Sequence, residues 1–277
     1  MEYLLHDFHC HSYLSPCSND PTMTTEAMMK NAKERHLKAI CITDHMWDMA
    51  YRTVDHFFYG HLDIPFIMKN RDLPKDDTIP FFFGCETELP AEGIPALTRE
   101  HFDLFDFVVI PPNHMHFIGL VRKEEIDTPK KMALEMENRL ENLLMQDLPF
   151  EKIGIAHLTC SLMFSEGSVA DVVHEMNEAR LLRIFAGYAK AGAGIEINTT
   201  CIHECQKEFE TRHDEMMLLY RIAKEAGCKF YLGTDAHFIR EFSSLQENAP
   251  MMIRELGLTD DDRYEMPALK QYASQPK

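Results

Sequence analysis

Histidine and carboxylate residues recur in this sequence where short apolar segments end. These positions are His9-Cys10-His11, Thr43-Asp44-His45, Gly84-Cys85-Glu86, His114-Met115-His116, His157 and Asp235-Ala236-His237. They contain seven of the 15 histidines of the chain. Imidazole and carboxylate groups together suit Zn²⁺, Mn²⁺ or Fe²⁺ better than Ca²⁺. The pattern therefore predicts a metal site assembled from several segments.

The spacing within two of these motifs supports this interpretation. Residues two apart in a strand point to the same side, so His9 and His11 can bind one ion, and Asp235 and His237 repeat the arrangement. An isolated His-x-His or Asp-x-His motif is weak evidence, and the joint occurrence at successive strand ends makes the prediction strong. One ion takes about four protein ligands, so the number of candidates predicts two or three ions, with Glu86 as a candidate bridge.

The elements that position these residues alternate between strands and helices. We predict strands at residues 3–10, 39–43, 81–86, 105–110, 152–156, 194–198 and 230–233, with helices at about 24–36, 128–145, 169–191, 213–226 and 248–256. This order indicates an α/β fold of parallel βαβ units, in which ligands bind at the carboxyl ends of the strands. We expect one domain over residues 1–277, with an insertion that covers the top of the sheet at 46–80 and a surface tail at 258–277.

Composition and charge exclude several classes of function. The chain has 277 residues and a formal net charge of −17, which argues against a nucleic-acid polymer or an anionic membrane as partner. It contains no apolar run of the ~18 residues that a membrane span needs and no basic start typical of a signal peptide, so we expect a cytoplasmic protein. The eight cysteines are then free thiols or ligands. None begins the Gly-rich, Arg-ended loop that a cysteine phosphatase requires.

Taken together, the motifs resemble a known family. Asp7-Phe8-His9-Cys10-His11-Ser12, Thr43-Asp44-His45, Gly84-Cys85-Glu86, Ala156-His157 and Gly233-Thr234-Asp235-Ala236-His237 resemble the PHP superfamily of polymerase and histidinol phosphatase phosphoesterases. The segments 105–110 and Glu196-Ile197-Asn198-Thr199 are most similar to its histidinol-phosphate phosphatase branch. The resemblance implies a distorted (βα)7 TIM-like barrel that holds two or three divalent ions (Zn, Mn or Fe) at the C-terminal ends of its strands.

The resemblance also implies which residues bind each ion. One ion would be held by His9, His11, Glu86 and Asp235, and a second by Glu86, His157 and either His114 or His116. The third would be held by His45 and His237 with the loop after His11, where Cys17 stands in place of the histidine or aspartate of many family members.

The function implied is hydrolysis of a small phosphomonoester by a metal-bridging hydroxide. We assign catalytic roles to Asp235 and His237, and substrate binding to Asn198, His203 and Arg240. The expected partner is a small phosphorylated metabolite, and no pattern indicates an oligomeric state. The branch has a Gly-Leu-Arg stretch where this chain has Thr200-Cys201-Ile202-His203, which argues against histidinol phosphate itself. Two alternatives stay open: a PHP phosphodiesterase or exonuclease acting on nucleotides, and a non-catalytic metal-binding PHP module.

Overall fold

Parallel strands form the centre of the computed structural model, which describes residues 5–274. The strands are β1 His6–Asp7, β2 Ala39–Ile42, β3 His45–Met46, β4 Phe81–Thr87, β5 Phe107–Ile110, β6 Ile153–Ile155, β7 Gly194–Asn198 and β8 Lys229–Gly233. They pair in the order β1-β2-β4-β5-β6-β7-β8, and β3 pairs with the end of β4. Because β2 and β3 lie beside β4 in one register, they are two parts of a single interrupted strand. The sheet therefore has the seven strand positions that the sequence predicts.

The first and last strands meet, so the sheet is nearly closed. The amide of Phe8 donates to the carbonyl of Leu232 at 3.0 Å, and the amide of Asp235 donates to the carbonyl of His9 at 2.7 Å. A further bridge joins Cys10 to Ala236. This closure confirms the predicted distorted (βα)7 barrel.

Helices surround the barrel on its outer side. They are α1 Thr25–Glu34, α2 Ile64–Ile67, α3 Pro129–Leu144, α4 Val169–His174, α5 Glu178–Ala191, α6 Thr199–Glu204, α7 Gln206–Thr211, α8 His213–Glu225, α9 Ser244–Leu256 and α10 Pro267–Ser274. Thr24 caps α1 and Thr128 caps α3, because each side chain accepts a hydrogen bond from an amide of the first turn. Within residues 5–274, no helix is long and apolar enough to cross a membrane.

The prediction of a single helix over residues 169–191 is wrong. The segment forms α4 and α5, which are separated at residues 175–177. Asn177 has an extended backbone, and its side chain accepts a hydrogen bond from the amide of Arg180 at 3.0 Å. Asn177 is therefore the N-cap of a new helix, a role that favours asparagine. The short helices α6 and α7 were not predicted.

Alternate residues of the strands form two apolar layers. One set faces the helices and builds the main core, with Ile40, Val108 and Ile195 among its members. The other set lies inside the barrel at its amino end, where Phe8, Phe107 and Tyr231 are buried. Fully burying one such side chain stabilises a fold by about 1.5–3 kcal/mol.

The C-terminal segment contributes to the inner layer, which differs from the predicted surface tail. Tyr264 and Met266 are buried, and the Tyr264 ring lies 5.6 Å from that of Phe107. The Tyr264 amide donates to the carbonyl of Phe230 at 2.8 Å, which fixes this segment below β8. The prediction failed here because a short apolar segment after the last strand carries no periodic pattern. Helix α10 that follows has no buried residue, and residues 275–277 lie outside the described part of the chain.

The segment after β3, residues 46–80, packs as an aromatic cluster beside the strand ends. Trp47 and Tyr59 are buried, with ring centroids 5.6 Å apart. The neighbouring Phe58 packs edge-on against His45 at 5.2 Å. This segment therefore contacts the residues that the sequence predicts to bind metal.

Candidate metal centre

Four of the predicted ligands converge at the carboxyl ends of β1, β4 and β8. The Nε2 atoms of His9 and His11 are 3.1 Å apart. The Oδ1 atom of Asp235 lies 3.4 Å and 3.1 Å from these two nitrogens, and the Oε2 atom of Glu86 lies 3.5 Å and 3.4 Å from them. Nitrogen and oxygen ligands at about 2.0–2.2 Å from one tetrahedral ion are about 3.3 Å from each other. The four atoms therefore fit the coordination sphere of one divalent ion.

A second group of ligand atoms shares Glu86. Its Oε1 atom lies 3.2 Å from Nε2 of His157 and 3.8 Å from Nε2 of His114. The two imidazole rings stack with centroids 4.9 Å apart. Because the two oxygens of Glu86 face different groups, this carboxylate is placed to bridge two ions.

A third group lies nearest the surface and consists of His11, His45 and His237. The rings of His11 and His237 stack at 4.4 Å. Cys17 lines the same cavity as His45 and His237 and lies close enough to both for their charges to act on its thiol. Burial raises the pKa of this thiol, but the charges and hydrogen bonds of the two histidines outweigh burial and lower its pKa to about 7.

Hydrogen bonds on the far side of each imidazole orient the rings toward the cluster. Nδ1 of His9 lies 2.7 Å from Oε1 of Glu196, and Nδ1 of His114 lies 2.9 Å from Oε2 of Glu88. Each carboxylate accepts a hydrogen bond from Nδ1–H, which keeps the proton on Nδ1 and leaves a lone pair on Nε2 for an ion. This is how partners behind metal-binding histidines fix the ring.

Asn113 and Ser15 orient two further imidazoles. Nδ1 of His157 lies 2.9 Å from Oδ1 of Asn113, and Nδ1 of His11 lies 3.0 Å from Oγ of Ser15. The Ser15 hydroxyl in turn donates to Asp44 at 2.9 Å, so its oxygen can accept from Nδ1 of His11 and also from the amide of His45 at 3.1 Å. Both nitrogens that face the cluster are therefore fixed in position.

The backbone is strained at two of the candidate ligands. His157 has φ +28° and Asp235 has φ +55°, in the left-handed region that non-glycine residues rarely adopt. Each lies two residues beyond a strand end, at the turn that brings its side chain to the cluster. Such strain costs on the order of 1–3 kcal/mol and is found at functional sites.

Gly233, beside this turn, must be a glycine because there is no space for a side chain. A Cβ atom at this position would lie 2.6 Å from Cβ of His9 and would overlap Oε1 of Glu196. The bare backbone therefore lets Glu196 reach across β8 to the imidazole that it orients.

The buried charges shift the pKa values of the ligands strongly. Burial lowers the pKa of His9, but the charges of Glu196, Asp235 and Glu86 outweigh burial and raise it well above its usual value. Burial raises the pKa of Glu86, but the positive charges of His45 and His9 hold it well below its usual value. Without an ion, protons on the imidazoles must balance the carboxylates.

Two ligand atoms are buried without any hydrogen bond. Nδ1 of His45 and Oε2 of Glu86 are 2.8 Å apart but do not have hydrogen-bonding geometry. Glu86 is only 1% exposed, so water does not satisfy this oxygen from the surface. An unpaired buried carboxylate oxygen is costly, and an ion between the two atoms would remove that cost.

A cavity of about 200 Å³ opens onto these groups. Its lining includes the candidate ligands Cys17, His45, Glu86, His114, Asp235 and His237, together with His116. The apolar side chains Phe58, Phe117 and Leu162 complete the wall. The size suits a small molecule rather than a polymer.

Comparison with known proteins identifies the family. The PHP domain model matches residues 7–200. The chain belongs to the PHP family. A probable phosphatase of Caldicellulosiruptor saccharolyticus is 24% identical over 231 residues, covering 83% of this chain and 79% of the relative. One of Caldicellulosiruptor bescii is 22% identical over 231 residues, covering 83% and 78%.

The fold of this PHP chain is also that of a solved enzyme. Histidinol phosphate phosphatase from Lactococcus lactis, solved in complex with zinc, L-histidinol and phosphate, superposes with a TM-score of 0.62 at 19% identity. The match covers 92% of this chain and 94% of the solved one. Family, fold and ligand clusters together make the chain a metal-dependent phosphoesterase.

The predicted ligands of the PHP site differ in how closely they approach one another. Nine lie in or beside the three groups, namely His9, His11, Cys17, His45, Glu86, His114, His157, Asp235 and His237. His116 lines the cavity but joins none of the groups, because its ring packs on Phe117 with centroids 3.9 Å apart. Of the two histidines left open by the sequence, His114 is the one that faces Glu86.

The predicted substrate-binding residues occupy other positions. Asn198 is buried, where its side chain donates to Asp235 at 3.3 Å and caps α6 through the amide of Cys201. His203 and Arg240 are exposed and do not line the cavity. The Arg240 guanidinium lies over the ring of Phe238, 4.7 Å from its centroid. Asn198 thus contacts the candidate metal ligand Asp235, whereas His203 and Arg240 face solvent.

Sequence reasoning missed the residues that orient the imidazoles. Glu88 lies two residues after Glu86, directly beyond the end of β4, so continuing the strand periodicity by one residue places it on the same face. Asn113 directly precedes His114 in the sequence. Both signals were present but weaker than the histidine pattern. Phe58 and Phe117 lie on loops and Leu162 lies in a single 3-10 turn, so no periodicity could indicate that they line the cavity.

Proposed function

We propose that this protein hydrolyses a small phosphomonoester, in the manner of a histidinol-phosphate phosphatase. The observation that carries the proposal is the sharing of Glu86 by two groups of ligand atoms at the base of a small cavity. The cavity accepts a phosphoryl group and a small alcohol but no long polymer. The Lactococcus lactis enzyme, whose structure contains L-histidinol and phosphate, supports a substrate of this size.

We propose zinc, manganese or iron(II) as the ions, in two or three sites. His9, His11, Glu86 and Asp235 would hold the first, and Glu86, His114 and His157 the second. Cys17, His45 and His237 would hold the third, with the Cys17 thiolate supplying a soft ligand that favours zinc. Bound divalent ions lower the pKa of water and neutralise the charge of a phosphoryl group.

The remaining residues of the site prepare this chemistry. Glu196, Glu88 and Asn113 hold protons at the Nδ1 atoms of His9, His114 and His157, so each Nε2 stays available. Asn198 donates to Asp235 and fixes the orientation of its carboxylate. Phe58 and Phe117 exclude bulk water from one side of the cavity. Asp235 and His237 lie at the boundary between the ligand groups and the open cavity, which is why we assign them catalytic roles.

The test combines metal analysis with a substrate panel. The purified protein should contain two to three ions per chain and release phosphate from simple phosphomonoesters in the presence of Zn²⁺ or Mn²⁺, with histidinol phosphate included in the panel. Asp235→Asn should lower the rate by at least about 10³-fold, since it removes a ligand charge. Asp261→Asn, at an exposed aspartate outside the ligand groups, is the matched control and should keep full activity.

Other outcomes would redirect the assignment. Stoichiometric metal without turnover of any ester would favour the non-catalytic binding module. Faster cleavage of phosphodiesters or nucleotides than of monoesters would favour the phosphodiesterase alternative. Cys17→Ala should lower the metal content by about one ion per chain, and an unchanged content would remove Cys17 from the third site.

A further inference from the structure

Two kinds of surface line the cavity, one polar and one apolar. Its base is formed by candidate metal ligands, and its sides by Phe58, Phe117 and Leu162. Neither lysine nor arginine occurs among the described residues that line it. Ions at the base would bind the phosphoryl group, so the alcohol part of a substrate must gain its binding energy from the apolar sides.

Phe58 and Phe117 form one continuous aromatic surface. Their ring centroids are 5.4 Å apart with an angle of 49° between the planes. Both side chains are half-buried, so each packs with part of its surface and leaves the rest open to the cavity. We refer to these two side chains as the aromatic wall.

The aromatic wall is held firmly in place. Phe58 packs against Tyr59 at 4.8 Å, and Tyr59 is fixed by a hydrogen bond from its hydroxyl to Glu88 at 2.8 Å. Phe117 packs edge-on against the ring of His114 at 6.2 Å. Because the two side chains of the wall are already ordered, binding a substrate against them costs little side-chain entropy.

We propose that the aromatic wall selects phosphomonoesters in which the ester oxygen is attached directly to a flat aromatic ring. Aromatic rings prefer offset-stacked or edge-to-face contacts, and both are available between a planar group and two rings inclined at this angle. Leu162 would close the opposite side of the planar group. The assignment rests on the proposed phosphatase function and adds the class of leaving group.

Binding of non-hydrolysable phosphonates tests the wall without requiring turnover. Phenylphosphonate and cyclohexylphosphonate are similar in size, and only the first is flat. The metal-loaded protein should bind phenylphosphonate about 3- to 10-fold more tightly, which is the size of one aromatic contact. Titration calorimetry measures both affinities.

Three variants identify the residue responsible. Phe58→Leu keeps an apolar side chain against His45 and should reduce the preference to less than about 2-fold, with the metal content unchanged. Phe58→Ala should do the same and also weaken both ligands, because it removes apolar area. Phe57→Ala is the matched control, since Phe57 is the preceding residue, is 84% exposed and does not line the cavity, and it should keep the full preference.

The results separate this proposal from the function on which it rests. Equal affinities for the two phosphonates in the unmodified protein, or a preference that survives in Phe58→Leu, would overturn the aromatic wall even if phosphatase activity is found. A clear preference that Phe58→Leu removes would support the wall even in a protein that hydrolyses none of the esters tested. With an active enzyme, kcat/KM for phenyl phosphate should fall at least about 3-fold in Phe58→Leu. The ratio of the kcat/KM values for phenyl phosphate and methyl phosphate should fall by the same factor, and an unchanged ratio would contradict the wall.

Discussion

The two ends of the barrel interior are built by the same strands but have opposite chemistry. On β4, the apolar Phe82 faces the amino end and Glu86 faces the carboxyl end, four residues further along. Along the last strand, Tyr231 and Asp235 repeat this relation. All four side chains lie inside the protein, so burial alone does not distinguish the two layers.

The comparison indicates that the amino end of the barrel interior stabilises the fold, whereas the carboxyl end forms the candidate metal centre. Burying apolar side chains at the amino end is favourable in itself. Burying carboxylates and imidazoles at the carboxyl end is costly unless opposite charges or ions compensate. We therefore expect substitutions at the amino end to change the free energy of unfolding, and substitutions at the carboxyl end to change metal binding.

The largest expected effect is that of Phe107→Ala in the amino-end layer. Phe107 is fully buried, and its ring lies 5.1 Å from that of Tyr231. Removing it should lower the free energy of unfolding by about 3–5 kcal/mol, because a cavity replaces the ring. Denaturant unfolding measures this change.

Activity per folded molecule should stay within about 2-fold in Phe107→Ala, since Phe107 contacts no candidate ligand. Phe57→Ala, at an exposed phenylalanine, should change the free energy of unfolding by no more than about 0.5 kcal/mol. A large loss of activity in Phe107→Ala well below its unfolding temperature would contradict the separation of the two ends.

A smaller effect is expected from Glu196→Gln at the carboxyl end. Its carboxylate accepts from Nδ1 of His9 and, at 2.7 Å, from the amide of His157. Glutamine keeps the shape but removes the charge, and replacing such a partner typically weakens metal binding about 10- to 100-fold. Competition with a chromogenic chelator measures the affinity, and Glu225→Gln, at an exposed glutamate, is the control. An unchanged affinity would show that Glu196 has only a structural role.

The smallest expected effect concerns the pH dependence of the metal-free protein. Burial lowers the pKa of His157, but a hydrogen bond to Glu86 and nearby negative charges raise it to about 9. Burial also lowers the pKa of His237, but contact with Cys17 and the charge of Asp235 raise it to about 9. A folded-state pKa above the ordinary value of about 6.5 gives stability that is complete below pH 6.5 and is lost as the pH rises through 9.

The melting temperature of chelator-treated protein should therefore fall between pH 7 and pH 9. A loss of about 1 kcal/mol corresponds to about 2–4 °C in a chain of this size. Metal-loaded protein should fall less, because the ions replace these protons. Equal decreases with and without metal would show that the decrease arises elsewhere in the molecule.

The sequence predicted the carboxyl end of the barrel better than any other part. Histidines and acidic residues at strand ends predict a common site because the carboxyl ends of parallel strands all lie at one end of the barrel. The fold followed from the same alternation of strands and helices. His114 and His116 could not be separated in this way, because both follow β5 in a loop and only their packing distinguishes them: His114 faces Glu86, and His116 packs on Phe117.

The parts that the sequence did not predict depend on contacts distant in the chain. Tyr264 and Met266 enter the barrel because β1, β5 and β8 leave an apolar space there, which no local pattern reports. The break at Asn177 depends partly on Glu137, whose carboxylate accepts the Asn177 amide at 2.5 Å. The exposed positions of His203 and Arg240 likewise depend on how α6 and the loop after β8 pack.

The closure of the barrel between its first and last strands has a consequence for how the site forms. The hydroxyl of Thr234 donates to Asp7 at 2.6 Å, across 227 residues of chain. His9 and Asp235 therefore come together only after the long segment between them has been made, and closing so long a loop carries an entropic cost. An ion bound by both residues would link the first and last strands a second time, so removing the metal should weaken the closure of the barrel.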